Sequence, residues 1–302
     1  ASLGKFRANV RNAGQANVRY TLRAEEIMNT ISDLTLLGSG ATANVYLYEN
    51  DKILKLFNKE YDIESVEYES KSAQEISKSS IKAPKYYQII QVNDQHGIIY
   101  EFVPGELLVS LLLRSSLSQG IVLIKELVRT QITINAITNN NISTQVDRLS
   151  YLINKVTIID QYKKDIINGL RSIKQDYCVC HGDLHAGNAI VNTSGFMTID
   201  WMNCYSGNKE GDLLRSYLLL ITPYLPFSLG LTKKLLLKVY KRILGHYYRK
   251  EYLRISGLRK RDLNKWYPII AAARLADNVP NEERWLLNLI KKKIKYLTTA
   301  SS

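Results

Sequence analysis

The residues best suited to chemistry lie in one short stretch, His181-Gly182-Asp183-Leu184-His185-Ala186-Gly187-Asn188, and in Asp200, twelve residues further along the chain. The Asp183 carboxylate can accept a proton from a hydroxyl group. Asn188 and Asp200 offer an amide oxygen and a carboxylate, and Mg²⁺ takes one or two such protein oxygens together with substrate phosphates. These residue types predict a metal-assisted transfer of a phosphoryl group to an alcohol.

The segment between Asn188 and Asp200 must bring the two oxygen ligands together. It reads as two short strands joined by turn residues at 192–195. A hairpin of this length returns beside its start, so Asn188 and Asp200 are expected roughly 5 Å apart at its open end. Asp183, five residues before Asn188, is then free to point the other way.

This arrangement resembles the catalytic and metal loops of the aminoglycoside phosphotransferase and choline kinase family, the small-molecule branch of the protein-kinase-like fold. The resemblance covers roughly residues 32–297. It implies a two-lobed α+β fold, with a small antiparallel β-sheet and one helix in the N-lobe and a larger, mostly helical C-lobe. It also implies ATP and Mg²⁺ as cofactors, and His181 and His185 as residues that shape the loop by hydrogen bonds.

The expected N-lobe contains the other nucleotide-binding candidates. Gly38-Ser39-Gly40 is a turn of small residues between two predicted strands, where backbone N–H groups can close over phosphates. The next strand carries Lys55 inside an apolar run, and a buried ammonium group needs an anionic partner. In the helix expected at roughly 61–78, Glu69 shares the apolar face, whereas Glu67 points away from it and is the second candidate partner of Lys55. We therefore pair Lys55 with Glu69.

Two further strands complete a five-stranded N-terminal sheet, and the second ends at Pro104. A kinase-like chain crosses from the small lobe to the large lobe at this point. The resemblance implies that the backbone of Glu101, Phe102 and Val103 binds the adenine edge, so that no side-chain motif is required there.

Three segments follow from these assignments: a peripheral N-terminal arm at 1–31, a nucleotide-binding N-lobe at 32–103, and a catalytic and substrate-binding C-lobe at 104–302. A strand is expected at 177–180, and Asp212 is interpreted as a helix N-cap without a chemical role. Helices are expected near 23–28 and, in the C-lobe, at 106–113, 120–138, 146–154, 162–174, 231–252, 259–275 and 281–297.

Composition limits the alternatives. No run of about 18 apolar residues predicts a membrane span, and no signal peptide is recognised. The three cysteines, an odd number in a long chain, suit a reducing cytoplasm, and we interpret Cys178 and Cys180 as strand residues rather than zinc ligands. The net charge of +13 arises within 233–295, which holds 18 Lys and Arg against 5 Asp and Glu. Solvated helix faces explain it most simply, but nucleic acid, an anionic membrane surface or a phosphorylated ligand stay open.

The acceptor is less well defined. Aminoglycosides are polycations whose sites need clustered carboxylates, and Asp277, Glu282 and Glu283 form the one usable acidic group in the basic C-terminal helices. They are candidate substrate-binding residues, although helix-end electrostatics is the competing interpretation. Aminoglycosides, amino sugars, amino alcohols and sugar derivatives all remain candidate acceptors.

Two other functions are alternatives to a small-molecule phosphotransferase. A nucleotide-binding pseudokinase or regulator could use the basic C-terminal face to bind RNA or protein, but Lys55, Asp183, Asn188 and Asp200 are all present. A protein kinase is disfavoured because only eleven residues separate Asp200 from Asp212, which leaves no separate activation segment.

Overall fold

The computed structural model describes residues 34–225 and 230–298. The predicted N-terminal arm and the helix expected at 23–28 lie outside the described residues. The described residues divide into two compact units, one made of those up to Lys78 with Pro84–Val103, the other of Ser79–Ala83 with those from Pro104 onward. Within the described ranges, no helix is long and apolar enough to cross a membrane.

An antiparallel five-stranded sheet makes up most of the first unit, as predicted. Its strands are β1 Leu36–Ser39, β2 Ala43–Tyr48, β3 Lys52–Phe57, β4 Tyr86–Val92 and β5 Gln95–Glu101, in the order β1-β2-β3-β5-β4. Side chains of a strand alternate between its two faces. Leu54 and Leu56 of the central β3 therefore pack in one cluster, while Phe57 packs in another with Val66. Lys55 has the same parity as Phe57 and faces the side on which Val66 lies.

Val66 belongs to the single described helix of this unit, α1 Ile63–Ser77. Asp62 caps the helix, because its carboxylate accepts the Glu64 N–H at 3.1 Å. The helix buries a stripe with helical spacing, which includes Val66, Glu69, Ala73 and Ile76. Glu69 is thus buried on the face that packs against the sheet, as its position in the pattern predicts.

The second unit is mainly helical and has two small sheets. Its helices are α2 Leu108–Arg114, α3 Leu117–Asn135, α4 Gln145–Asn154, α5 Asp160–Ser172, α6 Lys209–Ile221, α7 Leu231–Ser256, α8 Trp266–Leu275, α9 Glu283–Lys293 and α10 Lys295–Thr298. Its strands are β6 Glu106–Leu107, β7 Cys178–Cys180, β8 Ala189–Asn192, β9 Gly195–Thr198 and β10 Tyr205–Gly207. The antiparallel pair β8 and β9 is the predicted hairpin, and it is extended by β6, while β7 pairs with β10.

Three helix predictions in this unit were wrong in part. Residues 106 and 107 form β6 rather than the start of a helix, because Gly105, with a φ of 151°, lets the chain approach β8 closely enough to pair. The helix expected at 259–275 is a 3₁₀ turn, Lys260–Leu263, followed by α8. The helix expected at 281–297 begins at Glu283, since Asn281 has a φ of 66°, and it is followed by the separate short helix α10.

Helix α6 carries polar residues into the interior of the second unit. Ten consecutive residues of α6, from Gly211 to Leu220, are buried. Leu214 and Leu218 belong to one hydrophobic cluster, and Leu213 and Leu220 to another. A helix buried on all sides holds its side chains in one position each. Any charged residue of α6 must therefore find partners inside the protein.

Candidate active site

The β8–β9 hairpin sets the positions of the two predicted metal ligands. The Ile199 N–H donates to the Asn188 carbonyl at 3.0 Å, immediately beyond the last ladder pair, Ala189 with Thr198. Asp200 follows with a φ of 64°, a left-handed conformation that Asp tolerates better than most residues. The backbone next to Asp200 therefore lies beside Asn188 at the open end of the hairpin.

The orientation of the Asn188 amide decides whether its oxygen suits a metal. Its Nδ2 donates to the Asp183 carbonyl at 3.0 Å and lies 3.3 Å from Asp183 Oδ2. Since the NH₂ group is directed at Asp183, Oδ1 points to the opposite side of the amide. One amide oxygen and one carboxylate fit the preference of Mg²⁺ for a few hard oxygen ligands.

Asp183 is largely buried, and its carboxylate faces positive charge. Arg215 Nη2 lies 3.1 Å from Oδ1, and His185 Nε2 lies 3.8 Å from Oδ2. Burial raises the pKa of Asp183, but Arg215 and, to a smaller extent, His185 and Arg274 outweigh it, so this pKa lies below its ordinary value. Asp183 is therefore an ionised acceptor at neutral pH.

Both histidines of the loop contact its backbone. His181 is fully buried, its Nε2 lies 3.1 Å from the Ile199 carbonyl, and its Nδ1 accepts the Asp183 N–H at 3.3 Å. His185 Nδ1 accepts the Gly187 N–H at 2.9 Å. Burial lowers the pKa of each imidazole below its ordinary value. Neutral rings in fixed tautomers suit these hydrogen bonds better than proton exchange.

Gly182 is required by a close approach of two backbones. Its φ is 75°, and a Cβ built on it would lie 2.0 Å from the Asn203 carbonyl oxygen. Neither the conformation nor the space accepts a side chain.

Asp212 was wrongly interpreted as a helix N-cap. The cap of α6 is Asn208, and Asp212 lies inside the helix with no exposed surface. Its Oδ1 accepts the Gly182 N–H at 2.8 Å, and its Oδ2 accepts from Gln131 at 2.9 Å and Asn135 at 3.0 Å. Asp212 thus anchors the loop at 181–188 through the backbone of Gly182.

The two side-chain amides that donate to Asp212 belong to Gln131 and Asn135 of α3. Tyr248 donates to Gln131 Oε1, and Tyr252 donates to Asn135 Oδ1 at 2.6 Å. Gln131 also donates to Ser216 at 3.0 Å. Neutral donors therefore surround the buried Asp212 carboxylate. The signal in the sequence was weak: two polar residues on the otherwise apolar buried face of α3.

The candidate acidic group at the C-terminal helices differs from its prediction. Arg215 Nη2 lies 2.5 Å from Asp277 Oδ2, and Arg274 Nη1 lies 2.8 Å from the same oxygen. Arg274 also donates two hydrogen bonds to the buried Glu282, from Nε to Oε2 at 2.7 Å and from Nη2 to Oε1 at 3.0 Å. Asp277 and Glu282 are therefore paired with arginines, and of the three only Glu282 is buried.

These contacts form one chain of alternating charge. We name it the charge chain; in order, its members are Asp183, Arg215, Asp277, Arg274 and Glu282. Sequence reasoning missed both arginines. Arg215 stands on the buried α6, 32 residues after Asp183 in sequence, so that no local pattern links the two.

In the first unit, Lys55 and Glu69 form the predicted ion pair. Lys55 Nζ donates to the two carboxylate oxygens of Glu69 at 2.7 and 3.0 Å, and Glu69 is only 1% exposed. Tyr100 on β5 donates to Glu69 Oε1 at 3.0 Å. The pair holds the ammonium group in a fixed position on the helix-facing side of β3. A role of this pair in nucleotide binding stays a prediction.

The other predicted nucleotide-binding residues are placed less simply. Gly38 and Ser39 lie in β1, so the turn itself starts at Gly40, whose N–H donates to the Ala43 carbonyl at 2.9 Å. No atom lies within 4 Å of a Cβ built on Gly38. The Phe102 N–H donates to the Asp51 carbonyl at 2.8 Å, so this N–H is already used within the unit.

A family model described as the phosphotransferase enzyme family matches residues 33–219. The search of curated proteins found no match.

Solved structures share the fold of this chain. An aminoglycoside-3'-phosphotransferase of type VIII is 14% identical, with a TM-score of 0.58 over 81% of this chain and 92% of that chain. The amicoumacin kinase hAmiN, in complex with AMP-PNP, Ca²⁺ and Ami, is 14% identical, with a TM-score of 0.55 over 95% and 96%. An aminoglycoside phosphotransferase from Streptomyces rimosus is 12% identical, with a TM-score of 0.55 over 86% and 98%. These similarities confirm the predicted two-lobed α+β fold of the protein-kinase-like class.

Proposed function

Because this chain belongs to the phosphotransferase enzyme family, we propose that it transfers the γ-phosphoryl group of ATP, with Mg²⁺, to a hydroxyl group of a small molecule. The predicted family is confirmed, and the chain is a phosphotransferase with an alcohol group as acceptor. ATP as donor and Mg²⁺ as metal are the finer parts of the proposal. A neighbour of the same fold that binds AMP-PNP and Ca²⁺ supports a nucleotide and a divalent cation in general.

One observation carries the proposal: a single loop holds an ionised carboxylate and an oriented amide at the open end of a hairpin. The Asn188 NH₂ group is directed at Asp183, and the Asn188 carbonyl is bonded to the residue before Asp200. The proposed proton acceptor, Asp183, and the proposed oxygen ligands, Asn188 and Asp200, thus belong to one loop and the hairpin that follows it. Phosphoryl transfer depends on this kind of positioning more than on covalent chemistry by the protein.

The site residues of the second unit are then each assigned a task. Asp183 orients the acceptor hydroxyl and takes its proton as the oxygen attacks phosphorus. Arg215 keeps Asp183 ionised, and Asp212 fixes the backbone at Gly182. His181 and His185 hold the loop in shape. No covalent enzyme intermediate is needed.

The metal site is assigned to the side-chain oxygens of Asn188 and Asp200. When bound, Mg²⁺ neutralises charge on the phosphate oxygens and orients the phosphoryl group. The two residues supply one negative charge between them, which suits a site that must also accept an anionic nucleotide.

In the first unit, Lys55 is proposed to bind the α- and β-phosphates, and Glu69 to orient it. The backbone of Gly38, Ser39 and Gly40 is proposed to contact the phosphates. The adenine edge is assigned to the backbone of Glu101, Phe102 and Val103. The N–H groups of Glu101 and Phe102 are excluded, because they donate to the carbonyls of Lys85 and Asp51.

The metal assignment is tested by calorimetry of ATP binding with and without Mg²⁺. Wild-type protein should bind ATP at least tenfold more tightly with Mg²⁺, because without the metal the phosphates lose their contact to Asn188 and Asp200 through it. Asp200→Ala should remove this difference. Asp165→Ala, an exposed aspartate of α5, is the matched control and should keep it. Equal Mg²⁺ dependence in wild type and Asp200→Ala would overturn the assignment.

A further inference from the structure

A cavity of about 430 Å³ opens beside the catalytic loop within the second unit. His185, Ala186 and Gly187 form one wall. Helices α2, α6 and α7 supply the others, mainly through leucines. A volume of this size accommodates a drug-sized molecule, and its position beside the loop that carries Asp183 suits the acceptor of the proposed reaction.

The cavity wall is mostly apolar. Leu112, Leu220 and Leu244 are each less than 10% exposed and line it from three different helices. Contact with such a surface favours a ligand that gains by leaving water. A sugar with many hydroxyl and amino groups would lose hydrogen bonds to water there without replacing them.

The charged groups that line the cavity are cations. Lys241 and Arg274 both contribute to its wall, and none of the described lining residues is Asp or Glu. The nearby carboxylates already form ion pairs: Glu282 pairs with Arg274, and Asp277 pairs with both Arg274 and Arg215. An ammonium group entering the cavity would therefore meet like charge.

Lys241 differs from Arg274 in that its hydrogen-bond partners are uncharged carbonyl groups. Its Nζ donates to the carbonyls of Thr222 at 3.1 Å and Tyr224 at 3.0 Å. An ammonium group has three N–H donors, so one more can be directed to a ligand. Burial lowers the pKa of Lys241 to about 8, partly offset by Glu282. Most molecules thus carry the positive charge at neutral pH.

We propose, resting on the function above, that the acceptor is a hydroxyl compound with a largely apolar body and one anionic group, and that Lys241 binds this anionic group. The cavity selects against polycations. Lys241 is a specificity-determining residue, and it acts by charge and hydrogen bonding rather than in the transfer step.

Binding is measured directly, without turnover, by calorimetry on the full chain. The probes share one twelve-carbon alkyl body with a terminal hydroxyl group and differ at the other end, which is a carboxylate, a primary amide or a primary amine. Kanamycin serves as the polycationic probe. The carboxylate should bind about tenfold more tightly than the amine, the scale of one charge-assisted hydrogen bond.

Lys241→Met removes the charge and keeps the length of the side chain. It should weaken binding of the carboxylate about tenfold and leave the amide nearly unchanged. Lys238→Met is the matched control, because Lys238 is exposed and lies one turn earlier on the same helix. It should preserve the order of affinities. Leu237→Trp, which adds volume to the cavity wall, should weaken all three alkyl probes together.

Tighter binding of kanamycin or the amine than of the carboxylate would overturn the proposal, as would absence of binding by all alkyl probes. An equal loss in Lys238→Met would also overturn the role of Lys241. ADP formation, measured separately with the same compounds, tests the proposed function. Phosphorylation of kanamycin alone would refute the substrate class and leave the transfer reaction standing. Tight carboxylate binding without ADP formation from any compound would refute the transfer reaction and leave the cavity's preference intact.

Discussion

The two units each bury a pairing of cation and carboxylate, and the two pairings are built differently. In the first unit, Lys55 and Glu69 lie on consecutive elements, and Tyr100 completes the group. In the second unit, Asp183 is one end of the five-member charge chain. The first pairing fixes one ammonium group in place. The second also sets the ionisation of the carboxylate at its end.

Under the proposed function, the difference concerns the task assigned to each site. A lysine that binds phosphates needs a fixed position, which one buried carboxylate provides. A proton acceptor needs the right charge as well, and burial works against ionisation of Asp183. Arg215 reverses that effect, and Asp277 on its other side contributes to keeping Arg215 charged. If this contrast is correct, changes to the two sites should affect different kinetic constants.

The largest effect is expected at Asp183. Asp183→Asn keeps the size of the side chain but removes the acceptor charge, so turnover should fall by roughly 10²-fold or more. Affinity for ATP should change little, because Asp183 is assigned to the hydroxyl and not to the nucleotide. Steady-state kinetics and calorimetry measure the two quantities, with Asp165→Asn as control. Retained turnover would mean that another group accepts the proton.

A smaller effect, on a different constant, is expected at Glu69. Glu69→Gln leaves Lys55 without the charge of Glu69, so KM for ATP should rise about tenfold, the scale of one charged hydrogen bond. The exposed Glu67 lies two residues away on the same helix and provides the control Glu67→Gln. A fall in kcat without a change in KM for ATP would erase the contrast between the two sites.

These pairings also differ in how far the sequence could predict them. Helical periodicity selected Glu69 over Glu67, and turn chemistry selected the hairpin, because both depend on neighbours in sequence. The roles of Asp212 and Arg215 depend on α6 being buried on all sides, which a local pattern of leucines does not distinguish from a surface helix. Asp277 and Glu282 looked like an acidic surface for the same reason: their arginine partners are brought to them by the packing of α6 and α8.

The Asp183–Arg215 contact should appear in the pH profile. Arg215 lowers the pKa of Asp183, so Arg215→Met should raise it. Because the ionised form is the active one, kcat/KM falls as pH drops through this pKa. The acid limb of the profile should therefore move to higher pH.

Arg215→Lys tests whether charge is the cause. It keeps the positive charge and should restore most of the low pKa, although a lysine ammonium group lacks the guanidinium fork that contacts both Asp183 and Asp277. A merely structural role would lower activity at every pH in both variants and leave the acid limb where it is in the wild type.

The smallest effects are expected at the far end of the charge chain, where adjacent glutamates differ in burial. Glu282 is 1% exposed and accepts from Arg274 and Thr222, whereas Glu283 is exposed at the start of α9. Glu282→Gln weakens the contacts of a buried guanidinium and should lower the free energy of unfolding by about 1–3 kcal/mol. Glu283→Gln loses only the favourable position at a helix N-terminus, about 0.5 kcal/mol or less. Chemical denaturation of the two variants measures both. If Glu283→Gln instead left stability unchanged but raised KM for an amine-bearing acceptor, Glu283 would bind substrate, and the charge chain would not be the reason that this acidic group is present.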